Sequence, residues 1–310
     1  MELKQLEYMI AIAEEQSISK AAEKLFISQS ALNQQLLRLE RDLGIPLFHR
    51  VKQGMIPTYA GEIYLETARK MLMMKEDTYR ILQDIADMKK GQIAVAYTPE
   101  QGSLMFSRIY PVFQQMYPDI TFKIFETRIK KAEQLLLQGN VNLAFTAHTP
   151  ENCKPQFDYY FLAPELLVLG VPLKNPLAQM AGERSWETFP SIDLKLLEDI
   201  PLILVSHETR LRDMIDDLFA EAGIKPRILF EPTSSITAFN MVNNQIGPAF
   251  FPQSYVIPGM PIAYFSIGRK EIWMRSVLTR KGAYISKAEN DFIHLAKELL
   301  SSGKLVLPPT

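Results

Sequence analysis

The chain has 310 residues, of which 47% are hydrophobic and 22% charged, and its formal net charge at pH 7 is −1. This length exceeds one average domain, so two or three domains with sizeable cores are expected. No apolar run approaches the length that spans a membrane, and the N-terminus shows no basic segment followed by an apolar core. The single cysteine, Cys153, leaves no internal disulfide and fits a reducing cytoplasm, where we expect the protein to be.

Two short helical patterns between Ser17 and Arg50 meet at a break around residues 26–28. Leucines at helical spacing predict one buried stripe, formed by Leu25, Leu32, Leu36, Leu39 and Leu43. Ser28 is a suitable N-cap for the second helix. The opposite face carries side chains that can bond base edges and phosphates, namely Gln29, Ser30, Asn33, Gln34 and Arg38. The pattern is typical of a helix-turn-helix, and an ordinary helical hairpin with a solvated polar face fits the spacing equally well.

Net charge gives the DNA-binding interpretation no independent support, because residues 1–58 hold seven Lys or Arg and seven Asp or Glu. The charges are nevertheless segregated along the chain. Four acidic residues lie before or within the first helical pattern, namely Glu2, Glu7, Glu14 and Glu15. Four basic residues lie within or after the second helical pattern, namely Arg38, Arg41, Arg50 and Lys52. Segregation of this kind predicts a positive surface beside the second helix, where phosphate contacts would position it.

Two short extended segments, 47–51 and 55–57, flank Lys52, Gln53 and Gly54 and predict a hairpin-like wing. His49 has no metal-ligand neighbours and is expected to be structural. From residue 58 to residue 89 there is no proline, and apolar residues recur every seven positions at Leu65, Leu72, Tyr79 and Ala86. This spacing predicts one long amphipathic helix that needs an apolar partner, either a second subunit or the C-terminal part of the same chain.

Beyond a polar hinge at residues 88–92, strand-like and helix-like segments alternate, which predicts an α/β fold with a mostly parallel sheet. In the first unit the predicted strands are 93–97, 120–126 and 141–145, with helices at 103–116 and 130–138. In the second unit the strands are 166–172, 201–205, 227–231, 247–252, 262–265 and 272–278, with helices at 211–222, 235–243 and 287–300.

Ligands in such sheets bind outside the carboxyl ends of the strands. The candidate effector-binding residues are therefore those that follow the strands, namely Thr98, Glu100, Gln101, Gly102, Ser103, Thr127, Arg128, Ile129, Thr146, His148, Ser206, His207 and Pro248. They suit a small polar or carboxylate metabolite, and a helix amide end after the first strand could hold an anion. A solvated loop is an equal alternative for each residue, and Glu100 disfavours a strongly anionic ligand.

No enzyme signature is evident. The four histidines, His49, His148, His207 and His294, show no metal-ligand spacing, and neither a Gly-rich phosphate loop nor a Gly-x-Ser-x-Gly elbow occurs. The adjacent pair Asp216 and Asp217 lies within a helical pattern and is expected to be solvated. We therefore expect a protein that is not an enzyme and that uses no cofactor or metal.

The segment 6–61 resembles the N-terminal domain of LysR-type transcriptional regulators. The resemblance is carried by residues 6–14, 19–25, 28–32, 39–40, 43–50 and 58–61. Two positions on the presumed base-reading face depart from the family, with Ser30 where Pro is usual and Asn33 where Ser is usual. The order of elements after residue 91 resembles the effector domain of the same family, a relative of periplasmic binding proteins, although Asn142 stands where Asp is common.

The resemblance implies an α/β protein with an α-rich winged helix-turn-helix, a long linker helix and a two-lobed α/β domain like that of periplasmic binding proteins. The implied boundaries are 1–58 for DNA binding, 59–90 for the linker and dimerisation helix, and 91–305 for the effector domain, with lobe I at about 91–162 and 267–305 and lobe II at about 163–266.

Double-stranded operator DNA, a small-molecule effector, a second subunit or a dimer of dimers, and RNA polymerase are the implied partners. The implied DNA-binding residues are Lys20, Ser28, Gln29, Ser30, Asn33, Gln34, Arg38, Arg50, Lys52 and Gln53. The implied dimerisation residues are Tyr64, Leu65, Ala68, Met71, Leu72, Tyr79, Leu82 and Ile85. A solute-binding protein of the periplasmic type is the alternative function, which the C-terminal half alone would fit and the helix-turn-helix pattern disfavours.

Overall fold

The structure is a computed structural model that describes residues 2–52, 54–86, 89–99, 101–149, 152–182, 185–207, 209–267 and 272–301. The chain forms two compact units, Met1–Met88 and Lys89–Thr310. Among the residues described, no helix combines the length and the apolar character needed to cross a membrane.

The N-terminal unit is a winged helix-turn-helix followed by a long helix. Its elements are α1 (Leu3–Glu15), α2 (Ile18–Lys24), α3 (Gln29–Leu43), β1 (Phe48–Val51), β2 (Gly54–Pro57) and α4 (Tyr59–Ile85). Strands β1 and β2 pair in antiparallel fashion, which confirms the predicted wing. Leu32, Leu36 and Leu39 are buried as predicted, but Leu43 is 48% exposed. The buried stripe of α3 therefore ends at Leu39, one turn before the helix itself ends at Leu43.

Hydrogen bonds fasten the wing and the start of α4 to the helices. The Glu40 carboxylate accepts bonds from the backbone N–H groups of Leu47 (2.7 Å) and Phe48 (3.1 Å). Thr58 is the N-cap of α4: its hydroxyl oxygen accepts from the Gly61 N–H and donates to the Pro46 carbonyl. A Cβ atom on Gly61 would lie 2.0 Å from the Leu47 carbonyl oxygen, so only glycine permits this close approach of α4 to the wing.

The turn between α2 and α3 is a Schellman motif with an unusual residue in it. The Ile27 N–H donates to the Ala22 carbonyl (3.0 Å) and the Phe26 N–H donates to the Glu23 carbonyl (3.1 Å). This pair of bonds requires a left-handed residue, and Phe26 takes that position with a φ of 54°. Glycine is the usual occupant because it has no Cβ to clash with the carbonyl that follows.

The C-terminal unit has two lobes with separate hydrophobic cores. Lobe I holds β3 (Lys90–Tyr97), α5 (Gln101–Met116), β4 (Asp119–Glu126), α6 (Ile129–Leu137) and β5 (Leu143–His148). Strands β3, β4 and β5 are mutually parallel, as predicted for this segment. Lobe II holds α7 (Ser185–Thr188), β7 (Pro201–Ile203), α8 (Arg210–Ala222), β8 (Arg227–Phe230), α9 (Ser235–Asn243), β9 (Ala249–Pro252) and β10 (Ile262–Ser266), with 3₁₀ helices at Pro176–Ala181, Leu194–Leu197 and Gln253–Tyr255.

Two strands run between the lobes, β6 (Phe157–Pro172) and β11 (Ile272–Arg280), and α10 (Lys287–Ser301) packs back on lobe I. The sheet order is β4-β3-β5-β11-β6-β9-β7-β8, with β10 also paired to β6. Strand β11 is antiparallel to both of its neighbours, and β6 is antiparallel to β9 and β10. The sheet as a whole is therefore mixed, not mostly parallel. Strand β6 also begins nine residues before the predicted start at residue 166.

The left-handed residues of the N-terminal unit generate a matched pair of stability predictions. Phe26→Gly should raise the free energy of unfolding by about 1 kcal/mol, because glycine relieves the Cβ clash at positive φ. Gly44→Ala, at a φ of 71° with open space around the added methyl, should lower it by about the same amount. Thermal or denaturant unfolding of the purified protein measures both changes. A loss of stability in Phe26→Gly would contradict the assignment of strain to this turn.

Candidate DNA interface and effector cleft

The exposed face of α3 carries the polar side chains predicted to read DNA. Gln29, Ser30, Gln34 and Arg38 are exposed and Asn33 is half-buried. Ser28 is the N-cap, and its Oγ accepts from the Ala31 N–H (3.2 Å) and lies 3.1 Å from the Ser30 Oγ. Ser28 and Ser30 thus contribute to the cap of the helix as well as to its polar end. Arg38 lies 4.0 Å from Asp42 one turn further along, which partly neutralises that end of the face.

The wing contributes cations beside this face. Arg50 donates from Nη2 to the Asn33 Oδ1 at 2.5 Å and so joins β1 to α3. This bond occupies the amide oxygen of Asn33 and leaves its amide N–H groups as donors.

An open groove of about 490 Å³ lies between the start of α2, the start of α3 and the wing. Among its lining residues are three cations, Lys20, Arg50 and Lys52, together with Gln29 and Glu15. These three cations could bind a backbone phosphate next to the base-reading face. Gln53, the remaining predicted DNA contact, lies outside the described residues.

The other end of α2 has a different electrostatic character. The Lys24 ammonium donates to Glu14 and Glu15 at 2.9 Å each. Burial lowers the pKa of Lys24, but the bonds to the two carboxylates outweigh burial and raise that pKa above its ordinary value. Lys24 is therefore engaged by two carboxylates within the unit, whereas the groove cation Arg50 is bonded to the neutral amide of Asn33.

The predicted dimerisation residues of α4 fall into two groups. Leu65 and Ala68 are buried within their own unit, where α4 packs on α1. Tyr64 and Leu72 are half-buried, and burial raises the pKa of the Tyr64 hydroxyl. The remaining four are exposed: Met71 (40%), Tyr79 (54%), Leu82 (55%) and Ile85 (77%). The apolar surface still open to a partner is therefore in the second half of the helix.

In lobe I the candidate effector residues follow the three parallel strands, whose carboxyl ends lie at one edge of the sheet. Thr98 bonds the first turn of α5, accepting from the Gly102 N–H at its hydroxyl (3.3 Å) and from the Ser103 N–H at its carbonyl (3.1 Å). Thr98 therefore already uses two of the amides that were predicted to hold an anion. Gly102 is needed because a Cβ there would meet the Tyr97 side chain at 2.5 Å.

The remaining lobe I candidates differ in accessibility. Thr146 and His148 are buried, and the His148 ring centroid lies 4.5 Å from that of Tyr159. Thr127 and Ile129 are half-buried and Arg128 is exposed. Glu100 and the side chain of Gln101 lie outside the described residues.

In lobe II, Ser206 and His207 follow β7, and Pro248 is buried just before β9. The Ser206 Oγ is shielded from solvent and has no hydrogen-bond partner among the described residues. His207 is held by Arg212, whose Nη2 lies 3.0 Å from the His207 Nε2. On its other side, the Nδ1 of His207 lies 3.4 Å from the Asp216 carboxylate.

Arg212 organises a charged cluster that the sequence did not indicate. Its side chain is 3% exposed and donates to the Asp216 carboxylate (2.8 Å), the Glu231 carboxylate (2.7 Å) and the Val205 carbonyl (3.0 Å). The bond from Arg212 lowers the pKa of Glu231. The i, i+4 spacing of Arg212 and Asp216 on α8 was a usable signal, whereas Glu231 follows strand β8 and is distant in sequence. The guanidinium is thus occupied internally and is not offered to a carboxylate ligand.

A second buried pair lies where the chain runs between the lobes. Glu165 on β6 is 4% exposed, and its Oε2 lies 3.6 Å from the Nε of Arg275 on β11. The other oxygen of Glu165 accepts from the Ser254 N–H in lobe II (3.1 Å). Nothing local in the sequence predicts this pair, because its members are far apart along the chain.

Family comparisons agree with this two-part construction. Residues 3–62 match the family model described as "Bacterial regulatory helix-turn-helix protein, lysR family", and residues 86–301 match "LysR substrate binding domain". The chain belongs to the LysR family. Its members are transcriptional regulators that bind DNA and small-molecule effectors and form oligomers.

Relatives of this LysR-type regulator are similar over nearly its whole length. The HTH-type transcriptional regulator BsdA of Bacillus subtilis is 28% identical over 301 residues, covering 95% of this chain and all of the relative. YybE of the same species, an uncharacterised HTH-type regulator, is 30% identical over 253 residues, covering 81% of this chain and 82% of its own.

Solved structures give the same result. CbnR in complex with its target DNA is 25% identical, with a TM-score of 0.58 and coverage of 96% of this chain and 99% of that chain. A full-length OxyR from Pseudomonas aeruginosa has a TM-score of 0.67 at 22% identity, covering 96% of this chain and 94% of that chain, and supports the fold alone. The LysR-type class and the two-lobed fold expected from the resemblance are confirmed.

Proposed function

We propose that this LysR-type regulator binds operator DNA in the cytoplasm through the polar face of α3 and the neighbouring cationic groove. The observation that carries the proposal is the position of Lys20, Arg50 and Lys52 around one groove that also reaches Gln29. Phosphates placed there would set the register of α3, while Gln29, Ser30, Asn33 and Gln34 would contact base edges. The cations lie in one place although the unit has no net positive charge, which supports local rather than global attraction to DNA.

The operator proposal predicts different effects for the two kinds of residue. Gln29→Ala and Asn33→Ala should reduce discrimination between the cognate site and altered sites, by about 1–3 kcal/mol for a lost bidentate base contact. Lys52→Ala should weaken binding to all sequences similarly and reduce the slope of log affinity against log salt by about 1. Competition binding to the DNA upstream of the protein's own gene, at several salt concentrations, measures both. Equal weakening on every sequence by Gln29→Ala would remove that residue from the base readers, and a wild-type protein without sequence selectivity would overturn the proposal.

We also propose that the second half of α4 pairs with its equivalent in a second subunit. Support comes from the exposed apolar residues of the second half of the helix, namely Met71, Met74, Tyr79, Leu82 and Ile85. A dimer presents two recognition helices to one face of DNA and so matches a roughly palindromic operator. Leu65 and Ala68 would act indirectly, because they hold α4 on α1 within each subunit.

Charge placed on this surface tests the pairing. Ile85→Glu should convert the oligomer to monomer, since a carboxylate at a 77% exposed apolar position would be desolvated against the partner. Glu66→Lys is the charge-change control, because none of the five apolar residues lies three or four positions from this exposed residue. Sedimentation velocity of both variants reports the change. An unchanged oligomer in Ile85→Glu would argue against pairing through this face.

The cleft side of each lobe is the proposed effector site, with Thr127, Thr146 and His148 from lobe I and Ser206 and His207 from lobe II. Support comes from their positions at the carboxyl ends of parallel strands and from the shielded Ser206 hydroxyl. A small polar or carboxylate metabolite fits hydroxyls and imidazoles better than it fits Arg212, which is already bonded.

We infer that the cleft binds its ligand without converting it, as in a regulator. The ligand would favour one arrangement of the lobes by its unequal affinity for the two, and RNA polymerase would sense the outcome at the promoter.

A thermal-shift screen of small polar and carboxylate metabolites tests the cleft. A ligand of the folded state raises the melting temperature in proportion to the logarithm of its concentration above Kd. The shift should be lost or reduced in Thr146→Val, which removes one buried hydroxyl at nearly constant volume. Thr121→Val on β4 is the control, because its hydroxyl bonds the Gly91 carbonyl near the amino ends of β3 and β4, away from their carboxyl ends. Compounds that stabilise both variants equally would place the site elsewhere.

A further inference from the structure

Arg275 on β11 carries a shielded guanidinium whose hydrogen bonding differs from that of Arg212. The side chain of Arg275 is 12% exposed. Its Nε and Nη1 atoms are shielded from solvent and have no hydrogen-bond partner among the described residues. Arg212, by contrast, donates to two carboxylates and to a backbone carbonyl. Because buried polar groups are nearly always hydrogen-bonded, the N–H groups of Arg275 indicate an acceptor that the described residues do not supply.

Glu165 faces Arg275 without satisfying it. The Glu165 Oε2 lies 3.6 Å from the Arg275 Nε, which is longer than a hydrogen bond. The other oxygen, Oε1, accepts from the Ser254 N–H. Neither oxygen is bonded to Nη1 of Arg275, which carries two N–H groups. The two opposite charges therefore balance, while the Nη1 end of the guanidinium is left as a donor.

The strand registers place this donor where the two edges of the proposed effector cleft meet. Arg275 pairs with Ala147, the penultimate residue of β5, and so lies at the carboxyl end of that strand. Glu165 lies two residues before Leu167, which pairs with Pro252 at the carboxyl end of β9. Strand β5 runs parallel to β3 and β9 runs parallel to β7, so these carboxyl ends belong to the proposed effector site. Arg275 and Glu165 therefore lie at the floor of that site.

The two strands beside β11 supply no side-chain acceptor at this position. Ala147 on β5 and Ala163 on β6 are both opposite Arg275 in register. Residues opposite one another in an antiparallel pair lie on the same face of the sheet. A methyl group accepts no hydrogen bond and is too short to reach a guanidinium, so neither neighbour in the sheet can satisfy Arg275.

We propose that Arg275 anchors the effector, and that the effector is a small monocarboxylate whose oxygen accepts from Nη1. The proposal rests on the effector cleft proposed above and narrows its ligand from a polar metabolite to one with a single carboxylate. Hydrogen bonds between a guanidinium and a carboxylate are roughly twice as strong as those between neutral groups. Glu165 limits the ligand to one negative charge, because its carboxylate already balances the guanidinium and repels each further anionic group.

Matched acids and amides test the charge of the ligand on the full-length protein. Acetate, butyrate and benzoate would be compared with acetamide, butyramide and benzamide by thermal shift at neutral pH, with sodium chloride added to equalise ionic strength. We expect the acids to raise the melting temperature of the wild type more than the amides do, corresponding to about ten-fold or greater preference in Kd. Inorganic phosphate and succinate should stabilise the protein less than the acids do.

Variants of the pair separate a specific anchor from a general effect of carboxylates on stability. Glu165→Gln should bind acetate and benzoate several-fold more tightly, because it removes a like charge while Arg275 stays in place. The double variant Glu165→Gln, Arg275→Gln should lose the response to the acids and keep the smaller response to the amides. Arg275→Gln alone would leave Glu165 buried without a cation, so the double variant is the one to measure. Lys281→Gln with Asp158→Asn is the matched control, because it removes an exposed ion pair of the same domain.

Several results would overturn the proposal. Equal stabilisation by acids and amides, or stronger stabilisation by phosphate or succinate, would show that the cleft does not select a single carboxylate. A response to acids that persists in the double variant, or that is lost in the control pair, would exclude Arg275 as the anchor. Weaker binding of acids by Glu165→Gln would do the same. Stabilisation by amides alone would reject the monocarboxylate and leave the cleft standing, whereas stabilisation by no compound of either series would count against the cleft itself and this proposal with it.

Discussion

Strand β6 is the constraint on which the C-terminal unit depends. It runs unbroken for 16 residues, and its first part pairs with β11 while its last part pairs with β9 and β10. Ala163 belongs to the core of lobe I and Leu167 to the core of lobe II. The two lobes are thus joined by a continuous hydrogen-bonded strand rather than by a flexible linker. Any change in their relative angle must be absorbed by the few residues of β6 and β11 between the two cores.

Buried polar contacts are concentrated at this same place. The Glu165 carboxylate faces Arg275 across the two strands and also bonds the backbone of Ser254 in lobe II. Trp273 on β11 donates from Nε1 to the Met214 Sδ on α8, at 2.8 Å. An ion pair this well shielded gains little net free energy, since both groups were desolvated to form it, but it penalises arrangements that separate its members. These polar contacts therefore favour one arrangement of the two lobes. A bound effector would have to shift the lobes away from that arrangement.

In the N-terminal unit the equivalent constraint is the attachment of the wing. The Glu40 carboxylate on α3 bonds the first residues of the wing, and Thr58 and Gly61 bring α4 onto Leu47. Recognition helix, wing and linker helix are thereby fixed to one another through backbone groups. Pre-organisation of this kind lowers the entropic cost of DNA binding, because these elements are already held together before contact.

The order of helices and strands could be read from the sequence because periodicity is a local signal. The predicted helices and most strands occur within a few residues of their expected positions. The first half of β6 was missed since Pro164 and charged residues interrupt its apolar run, and a proline within a strand normally argues against one. Here Pro164 pairs with Met274, close to the register shift between Arg275 and Ser276.

Side-chain roles that depend on distant partners were not predictable. The Arg212–Glu231 and Glu165–Arg275 pairs join different elements. The same limit applies to Leu43, Leu65 and Ala68, because helical spacing identifies an apolar face but not which neighbour covers it. The division of α4 into a first half that holds its buried residues and a second half that exposes apolar side chains became visible only in the folded unit.

The two family departures on α3 take on a physical meaning in this context. Ser30 shares a hydrogen bond with the capping hydroxyl of Ser28, and Asn33 accepts one from Arg50 of the wing. A proline at position 30 would lack that hydroxyl, and a serine at position 33 has a shorter side chain with which to meet the guanidinium. Each departure therefore adds an internal bond to the DNA-reading face. Before either side chain can bond a base edge through the same atoms, it must exchange that bond for the new one, so the net gain per base contact is the difference between two hydrogen bonds. Under the proposed operator contacts, base preference at these positions would depend on the cap and the wing as much as on α3 itself.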